Sequence, residues 1–448
     1  MSEVVTRDPA TGRELRRYPA HDDAVVERAL AETSAAARTW AAVELPDRLA
    51  MLRAAGKLLT ERRDEYGSLI TAEMGKPLAE SLAEIDKCAW NCTVVADLAR
   101  GWLADSEIES GAGRSWISYE PLGVIFAVMP WNFPFWQVLR FACAALAAGN
   151  AALLKHSPDV TGCALAVEAL FTDAGAPAGL FRSLVIEGAR VPSVSARIVA
   201  DPRIAAVTLT GSERAGSAIA QAAGAALKKT VLELGGSDPF VVLAGADIAG
   251  AAAAAARSRF GNAGQSCVSA KRFIVVDEVA ERFVSALLAE TARLEIGPLA
   301  RADLRDTVVR QIDESVAAGA RLLTGGRAAA GPGFHMEATV LDHVTPGMAA
   351  FTEETFGPVA AVVRARDDDH AVELANDTEF GLGCSVWGSA GHALAVGRRI
   401  RSGALFVNAP VASDPRLPFG GIGRSGYGRE LSAEGVREFT NVRTVVVA

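Results

Sequence analysis

No stretch of the sequence is long and apolar enough to cross a bilayer. The longest apolar runs are alanine-rich or broken by glycine and proline, and Ala249 to Ala256 is mostly alanine. No basic stripe appears: 53 acidic residues against 45 basic ones leave a net charge of −8, which argues against a nucleic-acid partner. Six cysteines in 448 residues do not make a disulfide framework. Cys88 and Cys92 lie one helical turn apart, but no further cysteine or histidine near them completes a metal set. The six histidines show no ligand spacing either, so no metal site is expected. The polar start, Ser2-Glu3-Val4-Val5-Thr6-Arg7-Asp8, lacks the apolar core of a signal peptide. Together these absences point to a reducing, cytoplasmic setting. There is no low-complexity linker and no internal repeat.

Half of the residues are hydrophobic and 22% are charged, as in a soluble globular protein. The chain is too long for one ordinary core, so two or three domains are expected. Helical spacing of apolar residues over 22–42, 48–59, 64–74 and 78–98 predicts a mainly helical first hundred residues, with a turn at Asp8-Pro9-Ala10-Thr11-Gly12. Short apolar runs then alternate with helical segments. Strands are expected at 123–129, 151–155, 183–186, 205–209 and 230–236, and again at 240–243, 273–276, 359–363 and 403–407. That alternation implies α/β architecture with parallel sheets and a boundary near residue 235.

Five short stretches have the composition of chemistry. Gly261 to Arg272 surrounds Cys267 with small and polar residues. The glycines let the backbone approach another molecule, which suits a nucleophilic thiol, although a free cysteine is more often simply buried. Pro130-Trp131-Asn132-Phe133-Pro134 follows a strand, and its prolines would hold the Asn132 amide in place. An amide aimed at a developing oxyanion is worth about 10²–10³ in rate; a helix cap is the alternative. Glu233, at the end of an apolar strand before Gly235-Gly236, is either a base with a raised pKa or the partner of Lys228 or Lys229. Gly211, Ser212 and Gly216 open a helix after a strand, where free N–H groups would favour a pyrophosphate; an ordinary turn is the alternative. Glu353-Glu354-Thr355-Phe356-Gly357-Pro358 joins two acids to an aromatic ring that could wall a nicotinamide, or is a solvated acidic turn.

In order and rough spacing, these five stretches resemble the aldehyde dehydrogenase superfamily. Pro418-Phe419-Gly420-Gly421 with Ser425-Gly426 is similar to its C-terminal signature, and the resemblance covers essentially the whole chain. Leu154-Lys155-His156-Ser157-Pro158 and Leu234 to Phe240 look most like the short bacterial members that oxidise succinate semialdehyde with NADP or NAD.

The resemblance implies a Rossmann-like cofactor-binding domain (1–112 and 123–234), an α/β catalytic domain (235–424) and a small bridging oligomerisation sheet (113–122 and 425–448). A homodimer or homotetramer would follow from that sheet. It makes Cys267 the nucleophile that attacks the aldehyde carbon. Asn132 and the Cys267 N–H would hold the oxyanion. Hydride transfer to nicotinamide would leave a thioester, which water activated by Glu233 would hydrolyse. Cofactor contacts fall on Pro130, Trp131, Lys155, His156, Ser157, Pro158, Gly211, Ser212, Gly216, Leu234, Gly235, Glu354 and Phe356. Many NAD-preferring relatives carry a glutamate where Pro158 stands here. Without it, and with His156 and Ser157 able to donate to a 2′-phosphate, NADP is expected to be accepted.

For the substrate, the resemblance places Arg140 on a distal carboxylate and Ser413 in contact with the ligand. Where relatives carry a second arginine this chain has Gly261, so Arg259 or Arg416 would have to compensate. Glutarate semialdehyde or another aliphatic aldehyde therefore remains open as substrate. Leu294-Glu295 runs directly into Ile296-Gly297-Pro298, shortening a surface loop. Ser269 replaces the second cysteine of some relatives, which excludes a disulfide to Cys267. A cofactor-independent thiol hydrolase would leave Lys155, Gly211, Gly216 and Glu354 unexplained. An acyl-CoA-forming relative would generally lack Glu233, and a silent scaffold would not need the catalytic set.

Overall fold

The computed structural model describes residues 2–111 and 113–448, so the expected limits at residues 1 and 112 lie outside it. Its first sheet has six strands in the order Gly426–Tyr427, Lys229–Glu233, Ile204–Thr210, Val124–Met129, Ala151–His156 and Phe181–Ser183. The last five run parallel; Gly426–Tyr427 is antiparallel to Lys229–Glu233. Val124–Met129 and Ala151–His156 are almost wholly buried, because helices cover both faces of the sheet. The chain moves from Val124–Met129 outward to one side, then returns to Ile204–Thr210 on the other. That reversal opens a crevice at the strand ends, where open α/β sheets bind ligands. Pro130, Trp131 and Asn132 leave one of the two strands at this point, and Gly211 and Ser212 leave the other.

A second sheet has seven strands: Arg321–Thr324, Thr339–Asp342, Val359–Ala365, Arg272–Val276, Pro239–Val242, Gly383–Trp387 and Ala404–Val407. All pairs are parallel except the first. The chain changes sheets across 234–238, and each sheet has its own apolar core. Three strands of this sheet, Arg321–Thr324, Thr339–Asp342 and Gly383–Trp387, were not anticipated from the sequence pattern. The strand anticipated at 183–186 lies earlier, at Phe181–Ser183.

A third sheet pairs Thr440–Val447 with Arg114–Pro121 over eight residues, from Thr440↔Pro121 to Val447↔Arg114, and adds Ser106–Glu107 on the far side. It is smaller than the sequence reading allows. Gly426–Tyr427 caps the first sheet, and the helix Ser432–Glu438 packs on that same domain, so residues 425–439 stand apart from this ribbon. The first hundred residues are also not helical throughout. Glu3–Arg7 and Glu14–Pro19 form a hairpin around the Asp8–Gly12 turn before the helices Asp23–Ala41, Leu45–Glu61, Arg63–Met74 and Leu78–Trp102 begin.

The segment that links the two large sheets is pinned by Arg272. Its guanidinium is fully buried and donates to the carbonyls of Ser237, Leu374 and Ala375 at 2.8–3.1 Å. Arg272→Met leaves three buried carbonyls without donors, each costing about 1–3 kcal/mol. The expected result is a melting temperature lower by at least about 5 °C in thermal unfolding followed by circular dichroism.

Candidate active site

The helix Ile248–Phe260 runs into a turn in which Asn262 (φ 52°), Ala263 (φ 52°) and Gly264 (φ 73°) are all left-handed. Two of these are not glycine, and each such residue costs about 1–2 kcal/mol. Side chains hold the turn in place. The Asn262 amide donates to the carbonyls of Asn132 (3.0 Å) and Gln265 (3.1 Å), and its backbone N–H donates to Glu80 Oε2 (2.8 Å). A Cβ at Gly264 would strike the Gly357 carbonyl and Arg259. Cys267 emerges from this turn half-buried. Lys271 Nζ donates to the carbonyls of Cys267 (2.8 Å) and Ser266 (3.1 Å) and pairs with Glu354 at 3.2 Å.

Burial pushes the Cys267 thiol up to about 11, against the opposing pull of Arg140 and Lys271. A thiol so raised is almost wholly protonated at neutral pH. Asn132 is buried, and its Nδ2 donates to the Gln265 carbonyl at 3.1 Å. An amide has two N–H groups, so one remains for an oxyanion beside the thiol. Ser269 stabilises the turn by donating to Ser266 O at 3.0 Å.

Glu233 is 2% exposed and neither carboxyl oxygen has a hydrogen-bond partner. It is not paired with Lys228 or Lys229: Lys228 donates to backbone carbonyls, and Lys229 pairs with Glu438 at 2.8 Å. Burial raises its pKa well above the usual carboxylate range, and the neighbouring Glu430 raises it further. Glu430 is buried too, but it is ion-paired with Arg140. Two buried carboxylates thus lie near one guanidinium, which pairs with Glu430 and leaves Glu233 without a partner.

At the sheet crevice, Lys155 is 8% exposed, and burial lowers its pKa to about 8 with only Asp159 as counterweight. An under-compensated buried ammonium fits a dinucleotide's ribose or phosphate oxygens. Ser212 caps the helix Glu213–Ala225, and a Cβ at Gly211 would meet only Leu209, at 3.7 Å, so the helix N-terminus suits a pyrophosphate. Trp131 and Phe356 meet edge-on with centroids 5.8 Å apart. Gly216 makes room for the Leu234 side chain, and Gly235 for the Glu354 carboxylate, which accepts from Gly236 N at 3.0 Å. Pro130 begins the crevice loop, and Pro158 begins the short helix Pro158–Val160.

The structure revises several expectations. His156 has no ring nitrogen left for a phosphate: Nε2 donates to Pro134 O at 2.9 Å, and Nδ1 accepts from Ser157 N at 2.9 Å. Burial holds its pKa down to about 4, so it is neutral. The Ser157 hydroxyl donates to Asp159, which pairs with Arg301 at 3.0 Å. Arg301 also lies over Trp131 at 5.9 Å, a neighbour the sequence did not suggest. Neither proposed second arginine serves the substrate. Arg259 is buried against backbone carbonyls, and Arg416 is exposed and paired with Asp414. Arg140, expected on a substrate carboxylate, lines the cavity that holds Cys267; it also pairs with Glu430, lies against the Phe419 ring and donates to Thr210 Oγ1 at 3.3 Å.

Cys267 lines a cavity of 430 Å³ together with Trp136, Arg140, Ser413 and Lys87. Sequence reading missed Lys87. It sits on the helix Leu78–Trp102, and only the tertiary fold brings it 2.7 Å from Ser413 Oγ.

Comparison with known proteins agrees with this arrangement. The description "Aldehyde dehydrogenase family" is matched over residues 2–445. The chain is 45% identical to a probable NADP(+) succinate-semialdehyde dehydrogenase of Synechocystis sp., covering 99% of this chain and 100% of that one. It is 44% identical to Sad, the NAD(P)+ succinate semialdehyde dehydrogenase of Escherichia coli, covering 99% and 98%. Among solved structures it is similar to the succinic semialdehyde dehydrogenase of Streptococcus pyogenes in complex with NADP+. The TM-score there is 0.95 with 35% identity, covering 99% of both chains. With its nucleophile turn, paired sheets and end-to-end match, the chain belongs to the aldehyde dehydrogenase family.

Proposed function

We propose that this chain oxidises an aldehyde with a distal carboxylate, succinate semialdehyde first among them, to the acid, using NADP or NAD. The observation that carries the reading is a single cavity of 430 Å³ in which a cysteine shares the lining with basic side chains. The names of the relatives at 44–45% identity support the same substrate and cofactors.

Bound dinucleotide supplies the oxidant. Lys155, Ser212, Glu354 and the Trp131–Phe356 wall are the groups placed to hold it. Cys267 must lose its proton as it attacks the aldehyde carbon, because the resting thiol is neutral. The free N–H of Asn132 and the Cys267 backbone N–H take the oxyanion, where fixed donors act with little water to compete. Collapse of the adduct leaves an acyl thioester on Cys267. Glu233, once ionised, takes a proton from the attacking water. Its raised pKa brings it into the range where a carboxylate is an effective base.

The three-stranded sheet supports a homo-oligomer. Its edge strand Thr440–Val447 exposes Val442, Val446 and Val447 by 53–57%, and such an edge invites pairing with a second copy. Cytoplasmic location is in keeping with Cys92 and Cys143, whose sulfurs lie 3.5 Å apart as free thiols. Among the described residues, no helix is long and apolar enough to cross a membrane.

Cys267→Ala is expected to lower turnover by at least about 10⁴-fold while dinucleotide still quenches tryptophan fluorescence; sustained turnover would remove the nucleophile. Glu233→Gln should give one equivalent of reduced nicotinamide in a rapid burst, then stall. With an uncharged aldehyde, kcat/KM should rise from pH 7 to pH 9, because both Cys267 and Glu233 must lose protons from raised pKa values. A flat profile would mean that both groups are already ionised at pH 7 and would contradict the raised pKa values.

A further inference from the structure

Lys271 touches both halves of the chemistry. It is the last residue before the strand Arg272–Val276, and the catalytic sheet holds its backbone. Its N–H donates to Asp238 O at 3.1 Å, and its carbonyl accepts from Ala361 N at 3.3 Å. Its side chain is 1% exposed, and an ammonium has three N–H donors. Each has a partner. Two go to the carbonyls of Cys267 at 2.8 Å and Ser266 at 3.1 Å, and the third reaches Glu354 Oε1 at 3.2 Å. One buried cation is thus tied both to the nucleophile's own carbonyl and to a carboxylate at the dinucleotide crevice.

The two oxygens of Glu354 are used differently. Oε1 also accepts from Gly236 N at 3.0 Å, so it is anchored from two sides. Oε2 lies against Gly235, which has no side chain to displace it. Among the described residues, no hydrogen bond reaches Oε2. Arg259 does not supply this anchorage. It binds the backbone carbonyls of Gly264, Ala270 and Thr355, which fixes where the two segments run but not where a carboxylate on one of them points.

We infer that Lys271 is a positioning residue for hydride transfer: by holding Glu354 Oε1 and the Cys267 carbonyl together, it fixes the nicotinamide ribose relative to the sulfur that carries the substrate. This rests on the proposed placement of the dinucleotide against Glu354. Oε2 is then the oxygen left to accept from ribose hydroxyls, and Lys271 itself touches no part of the cofactor. Without the ammonium, Oε1 keeps only the Gly236 N–H, and the carboxylate can turn about its side-chain bonds. Hydride transfer does not tolerate such slack, since a displacement of about 1 Å can cost about 10²-fold in rate.

The test compares two reactions of one thiol. Oxidation of succinate semialdehyde with NADP needs the hydride acceptor. Hydrolysis of p-nitrophenyl acetate without dinucleotide acylates the same sulfur, releases p-nitrophenolate and then needs only water. The ratio of the two kcat values cancels any change in the thiol, whose pKa burial raises and Arg140 and Lys271 pull back. Lys271→Met should lower the ratio of oxidation to ester hydrolysis by at least about ten-fold. It should also raise the NADP dissociation constant read from tryptophan quenching. Adding Lys271→Met to Glu354→Ala should cost little beyond Glu354→Ala alone, because both changes break one contact. Equal losses in the two reactions would reduce Lys271 to a prop of the nucleophile turn, and full additivity would overturn its action through Glu354. If Glu354→Ala leaves oxidation and NADP binding at the parent level, the placement of the dinucleotide fails instead. Lys271→Gln, whose amide can still donate to the Cys267 carbonyl but has no charge for Glu354, serves if Lys271→Met does not fold. The same fall in the ratio is expected, and a parent-level ratio would overturn the inference.

Discussion

The Arg259 guanidinium is wholly buried and donates to the carbonyls of Gly264, Ala270, Thr355 and Gly357. Two of those carbonyls belong to the turn that carries Cys267, and two to the loop that carries Glu354 and Phe356. One side chain therefore sets the distance between the thiol and the residues placed against the dinucleotide. Burial lowers its pKa to about 9, which still leaves it charged at neutral pH. The left-handed residues Asn262 and Ala263 would relax to ordinary backbone without such a clamp. Asn262 extends the clamp to the Asn132 loop, so thiol, oxyanion donor and cofactor wall form one connected unit.

Around that unit, reactivity comes from groups that are buried with too little compensation. Burial raises the pKa of both the Cys267 thiol and the Glu233 carboxyl. Lys155 and Lys87 sit on two sides of the chemistry as under-compensated ammoniums, one in the sheet crevice and one in the cavity. By contrast, Arg272 and Arg259 are bound to backbone carbonyls within the protein and serve its architecture.

Cys267, Asn132 and Glu233 were legible because each lies in a short stretch whose local composition serves one purpose. The parallel strands were legible as continuous apolar runs such as Val124–Met129. The N-terminal hairpin was not, because Glu14, Leu15, Arg16 and Arg17 are all exposed and show no inward alternation. His156 was misjudged because its ring nitrogens are taken by Pro134 O and Ser157 N, partners that only the fold reveals. Lys87 is 326 residues from its serine partner, and Arg140 is 290 from Glu430. Nothing local records either pairing, so Lys87 was overlooked and the Glu430 partner of Arg140 was not foreseen.

The central claim is a covalent acyl group on one particular sulfur. Mass analysis of peptides from Glu233→Gln enzyme, quenched after mixing with succinate semialdehyde and NADP, tests it most directly. The account predicts an added mass equal to the substrate's acyl group on the peptide that contains Cys267, and on none of the other five cysteines. Acylation elsewhere, or unmodified Cys267 after reduced nicotinamide has formed, would contradict it.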